Sequence, residues 1–144
     1  SMGIFSSHLS WEIPLTKHLL QGLTAGVFRS GRRTPVVLQA EKIECGLACL
    51  AMISCFHGQN ESLGNLRSIF PTSIRGMGLI DLLNIASKCG FTSRALKTEI
   101  SALTHVKLPC IVHWDFDHFV VLEEITKKAV KIIDPAIGRR SLSK

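Results

Sequence analysis

The 144-residue sequence predicts an α+β domain. Three observations carry that expectation. Apolar residues recur at helical spacing from Glu44 to Gly90. Beyond Gly90 the chain turns into short β-branched and aromatic runs separated by turn residues. The helices come first and the strands second, without the alternation of an α/β protein.

Residues 1–34 read as an N-terminal arm ahead of a domain at 35–144, with Ser1-Met2 as a tag scar. Leu15, Leu19, Leu23 and Val27 recur every fourth residue, which suits one face of an amphipathic helix lying on a surface. RSGRRTP then has the glycine, basic and proline content of a linker. VVLQ is a short extended piece. A helix is expected from about Glu44 to His57, stopped by Gly58. A second runs from Ser62, its N-cap, to Phe70, with Pro71 ending it. The loop TSIRGMG leads into a third helix, LIDLLNIASKCG, closed by Gly90. FTSRAL, CIVHW, HFVVLEE and AVKIID read as strands, with a turn or short helix at TEISALTHV.

Composition narrows the function classes. Hydrophobic residues make up 46%, yet no window reaches the roughly 18–20 apolar residues of a membrane span. The net charge of +6 is scattered and there is no tyrosine, so aromatic and basic residues do not interleave as a nucleic-acid surface requires. Five cysteines, three of them within AEKIECGLACLAMISCF, do not form an even disulfide framework and read as reduced thiols in the cytosol.

Those three cysteines admit several readings. Zinc needs about four ligands, and no second close pair answers Cys45 and Cys49. A disulfide between residues four apart on one helix has poor geometry. Cys49, Cys55, Cys89 and Cys110 read as small core hydrophobes. Cys45 differs in lying in the first turn of its helix, where unpaired N–H groups favour an anion and lower a thiol pKa. Gly46 beside it would let a substrate backbone approach. A nucleophilic cysteine also needs a base, a group to orient that base, and oxyanion donors.

Of the six histidines, His113 and His118 flank the turn WDFD at strand ends. His118 opens its strand, with Val120 and Leu122 continuing the same face inward. A hairpin from 118–125 to 129–134 with an odd loop at 126–128 would bring Asp134 to the His118 side. Asp134 equally suits a plain Asp-Pro turn, and Asp115 and Asp117 are rivals. Gln39, six residues before Cys45, could aim its amide at the helix start or be an ordinary surface glutamine.

QAEKIECGLACLAMI with Cys45, LPCIVHWDFDHFVVL with His118, and Asp134-Pro135 together resemble the bacteriocin-processing cysteine peptidase domain of peptidase-containing ABC transporters. The likeness is greatest to the exporters of colicin V and similar microcins, and runs from about Pro35 to Gly138. It implies a papain-like fold whose helical and sheet halves meet at an active cleft. It implies Cys45 as nucleophile, His118 as base, Asp134 as its orienter and Gln39 in the oxyanion hole. The implied substrate is a precursor peptide cut after a Gly-Gly type pair, its amphipathic leader held in a separate apolar groove. No metal or cofactor is implied for the peptidase step; ATP would serve the ATPase domain of the full transporter. The partners implied are that domain, a membrane-spanning domain and a second copy of the polypeptide, at the cytoplasmic face of the bacterial inner membrane. Such domains continue past Asp-Pro with another strand, so ending at SLSK leaves the domain clipped or one strand short. The alternative is a catalytically silent copy that only docks leaders, a kind that lacks the cysteine or the histidine.

Overall fold

The computed structural model describes residues 6–12, 33–71, 73, 75–98, 108–114 and 118–143. A 3-10 turn, Lys42–Glu44, runs directly into helix α1, Cys45–Phe56. Every residue of α1 from Cys45 to Ser54 is buried. A helix apolar all round has no solvent face to keep and becomes the centre of the core. It stops as expected: Gly58 adopts a φ of +81, and the Gly58 and Gln59 N–H groups return to the carbonyls of Cys55 and Ser54.

Helix α2, Leu63–Ile69, starts at Ser62, whose hydroxyl accepts the Asn65 N–H at 3.0 Å. Helix α3, Leu79–Lys88, opens with the Asp81 carboxylate accepting the Gly78 N–H and closes at Gly90, φ +86. Leu63, Leu66, Leu82, Ile85 and Ala86 from these two helices join α1 in one core.

The sheet holds β1 (Ser6–Glu12), β2 (Thr92–Thr98), β3 (Cys110–Trp114), β4 (His118–Ile125), β5 (Ala129–Asp134) and β6 (Gly138–Ser143). All pairings are antiparallel, in the order β2-β1-β3-β4-β5-β6. Ile111, Phe119, Val121 and Ile133 face α1 and complete its core. Cys110, Val112, Val120, Leu122 and Ile132 form a second cluster on the opposite face.

Helices, four of the strands and the α+β class agree with the sequence expectation. Two strands are additions. The sequence reading has none before Val36, yet Ser6–Glu12 pairs along β2 and part of β3. The helix expected over Pro14–Phe28 lies outside the described residues, as does most of TEISALTHV. The strand following Asp-Pro is present as well, built from GRRSLS. Its polarity hides it from pattern reading, because an edge strand buries little. Val120 and Leu122 continue the His118 side of β4 into the interior, as expected, and the buried cluster they join lies on the face turned away from α1.

Candidate active site

Cys45 is the first residue of α1 and is 6% exposed. Its thiol is positioned by the N–H groups of Phe119, Gly46 and Cys45 itself. Gly46 and Cys45 supply the helix-terminus effect foreseen from sequence and Phe119 on β4 adds to it, but together they do not win. Burial holds the Cys45 thiol above its ordinary value, against the N–H donors, and the Asp134 charge adds to the rise. Burial thus opposes the thiolate that the helix-start position favours. Packing around Gly46 is close as well: a Cβ there would stand 3.2 Å from Met77 Sδ and 3.4 Å from Phe119 Cδ2, so these neighbours would have to give by a few tenths of an ångström.

His118 Nε2 and Asp134 Oδ1 are 2.7 Å apart, with side chains 28% and 13% exposed. A carboxylate only accepts, so the proton lies on Nε2 and the Nδ1 lone pair is left to receive another. The same Oδ1 accepts the Ala136 N–H at 2.9 Å. The two readings of Asp134, as turn residue and as histidine partner, are thus both satisfied by one oxygen. Because Phe119 donates to the Cys45 sulfur, His118 sits one residue from a direct contact of the thiol.

Gln39 donates its backbone N–H to the Pro135 carbonyl at 2.8 Å, which seats it beside the residue that follows Asp134. Its side-chain Oε1 is buried and, among the described residues, accepts no hydrogen bond. Between Gln39 and Cys45 the chain is held by Glu44, a residue sequence reading passed over. Its buried carboxylate accepts the Ala40 and Glu41 N–H groups at 3.2 and 3.1 Å and pairs with the Arg67 guanidinium, Nη2 at 3.1 Å. Arg67 holds the Glu44 carboxyl below its ordinary value despite burial, with the Glu41 and Ala40 N–H groups assisting.

The remaining candidates separate cleanly. None of the five cysteines is joined in a disulfide. Burial pushes Cys49 well up and Cys110 to about 12, as befits core residues. His113 stacks on Phe119 with ring centroids 4.5 Å apart, a packing role. His57 lies at the far end of α1 against Phe56. Asp115 and Asp117 lie outside the described residues.

A groove of ≈ 410 Å³ runs between α2 and α3, lined by Ile69, Phe70, Met77, Ile85 and Lys88 among others. A neighbouring depression shares Ile69, Phe70 and Lys88 and extends to Glu61. Met77 connects this trough to the helix start, since it also packs on Gly46 beside Cys45.

Comparison with known proteins follows this geometry. The Peptidase C39 family matches residues 33–144. The probable microcin-H47 secretion/processing ATP-binding protein MchF of Escherichia coli is 48% identical over 78% of the chain. The colicin V secretion/processing ATP-binding protein CvaB of the same species is 47% identical over 78%. The chain spans only 16% of the length of each. Among solved structures, a double glycine motif protease from an AMS/PCAT transporter, in complex with the leader peptide, superposes with a TM-score of 0.71. It is 32% identical, with 79% of this chain and 84% of that one covered. The peptidase domain of Streptococcus ComA follows at 0.70 and 25% identity, covering 76% and 86%. The helical half packed on an antiparallel sheet is therefore the papain-like arrangement that the resemblance implied, and the chain belongs to the Peptidase C39 family.

Proposed function

We propose that this chain is the peptidase part of a bacteriocin or microcin exporter, a cysteine endopeptidase that removes the leader by cutting after a Gly-Gly type pair. The observation that carries this reading is the His118–Asp134 hydrogen bond at 2.7 Å, on a strand whose next residue donates to the Cys45 sulfur. His118 Nδ1 takes the Cys45 proton as sulfur attacks the carbonyl carbon of the second glycine. The carbonyl electron pair moves to oxygen, which rests on the Gln39 amide N–H and the Cys45 backbone N–H. The C–N bond then breaks and His118 returns its proton to the leaving amine of the mature peptide. Water, deprotonated by His118, cleaves the thioester and restores the thiol. Asp134 keeps the imidazole in one tautomer throughout.

The trough that begins at Met77 is a reasonable seat for the amphipathic leader, since it starts next to Cys45 and is floored by Ile69, Phe70 and Ile85. Among the described residues no helix is long and apolar enough to cross a membrane. By analogy with the much longer relatives, membrane-spanning and ATPase domains of the same polypeptide would supply export and use ATP. Two copies would assemble, with the peptidase at the cytoplasmic face of the inner membrane. The test is incubation with a synthetic precursor carrying an amphipathic leader, with products identified by mass spectrometry. One cut after Gly-Gly, lost when the second glycine becomes valine, is expected. Saturable leader binding without any cut would move the chain to the docking alternative.

A further inference from the structure

Glu123 occupies a bulge in β4, between the pairs Leu122–Ile132 and Glu124–Lys131. The β4–β5 hairpin closes with Thr126 bonded to the Ala129 carbonyl at 2.8 Å, and the first pairs are Ile125 with Val130 and Glu124 with Lys131. This is an even turn, not the odd loop that sequence spacing suggests. Continued inward, that register sets Asp134 opposite Val121, on the α1-facing side of the sheet and away from the His118 side. The observed inner pairs are instead Leu122 with Ile132 and Val121 with Ile133. Asp134 therefore comes level with Val120, whose side of the strand is also that of His118. Glu123 is the extra residue that makes the difference.

Burial decides only part of this choice. Positions 132 and 133 are both isoleucine, and the two faces they occupy are both buried. A slip would keep those two sites apolar, but it would take Val130 off the second cluster and turn Lys131 toward it, so the hydrophobic preference for the observed register comes from the outer end of β5. At the bulge itself the discrimination is polar. The Glu123 carboxylate takes both Arg139 donors, Nε at 2.8 Å and Nη2 at 3.0 Å, a bidentate pair that fixes its direction. The same carboxylate accepts the Thr34 N–H at 3.2 Å, and Arg139 Nη2 donates to the Thr34 carbonyl at 2.7 Å. Thr34 begins the extended segment that ends at Gln39, which is bonded to Pro135.

We propose that Glu123, locked by Arg139 and Thr34, is a positioning residue that selects the register presenting Asp134 to His118 and anchors the segment bearing Gln39. The proposal rests on the peptidase reading for its consequence in turnover, but its structural part stands apart from that reading. The Glu123→Gln chain would be measured in two ways beside the wild type. Cleavage of the Gly-Gly precursor should fall in kcat by about ten- to a hundredfold, the scale of small misplacements of reacting groups, with KM within about twofold. Nitrogen-15 NMR of the imidazole should show the proton fixed on His118 Nε2 in the wild type and exchanging between both nitrogens in the variant. The charge-exchanged pair Glu123→Arg with Arg139→Glu should recover part of both signals. A folded Glu123→Gln chain that keeps the fixed Nε2 proton and its kcat would overturn the proposal. If Glu123→Gln fails to fold, Arg139→Lys, which retains a single contact, is judged on the same two readouts. Should the wild type cut no precursor, the peptidase reading fails, and the imidazole signal still decides the role of Glu123.

Discussion

Replacing Glu44 by alanine removes one buried carboxylate that serves three donors on two elements. The Ala40 and Glu41 N–H groups lose their acceptor, and the 3-10 turn that delivers Cys45 to the helix start is untethered. Hydrogen bonds to a charged group contribute about 1.5–3 kcal/mol each, taken at the low end here because both donor residues are exposed. Arg67, 46% exposed at its side chain, finds water instead and adds little. The loss is then about 2–4 kcal/mol at neutral pH, or roughly 8–16 °C in Tm for a domain of this size. Glu44→Gln, which keeps the shape and one acceptor, should lose about half as much. The two substitutions also make a signed statement about pH. The folded-state pKa of Glu44 lies below its ordinary 4.5, so its contribution is complete above that value and disappears as pH falls through the lower folded one. Thermal melts of wild type and Glu44→Gln from pH 7 down to 3 should therefore converge in acid. A Tm difference that stays constant across that range would refute the claim that an ionised, Arg67-paired carboxylate holds the turn.

Other outcomes follow from the same geometry. Asp134→Ala should lower kcat about a hundredfold without abolishing it, because nothing then accepts the Nε2–H and fixes the tautomer; single-turnover assays would measure this. Phe70→Ala, in the lining of the α2–α3 trough, should raise KM for the precursor about tenfold while leaving kcat nearly unchanged, since it lies in the proposed leader seat and is no part of the Cys45–His118–Asp134 constellation. Alkylation of Cys45 by iodoacetamide should accelerate steadily from pH 7 to above 9, because burial raises that thiol; a rate already flat at pH 7 would mean a preformed thiolate.

Much of the fold was legible because its signals are local. Ser62 announces α2 by capping, and Gly58 and Gly90 end their helices with positive φ. The apolar runs of β3, β4 and β5 are dense because both sheet faces are buried. What sequence reading missed depends on partners far along the chain. Glu44 looks like one charge in a charged stretch until Arg67, in the next helix, is folded against it. Nothing in VVLEE marks Glu123 as a bulge before Arg139 and Thr34 close on it. The nearness of His118 and Asp134 was foreseen from an odd loop; it arises from an even turn corrected by that bulge. For Cys45 a helix start announces the N–H donors, whereas the burial that opposes them is a property of the packed whole.

The central claim is that Cys45 forms the covalent intermediate, and intact-mass spectrometry of the chain, acid-quenched during turnover of a Gly-Gly precursor, tests it most directly. The predicted result is an adduct equal to the leader through its second glycine, mapped to Cys45 and absent in Cys45→Ala, which still binds the precursor. Continued cleavage by Cys45→Ala, or an adduct on another residue, would contradict the account.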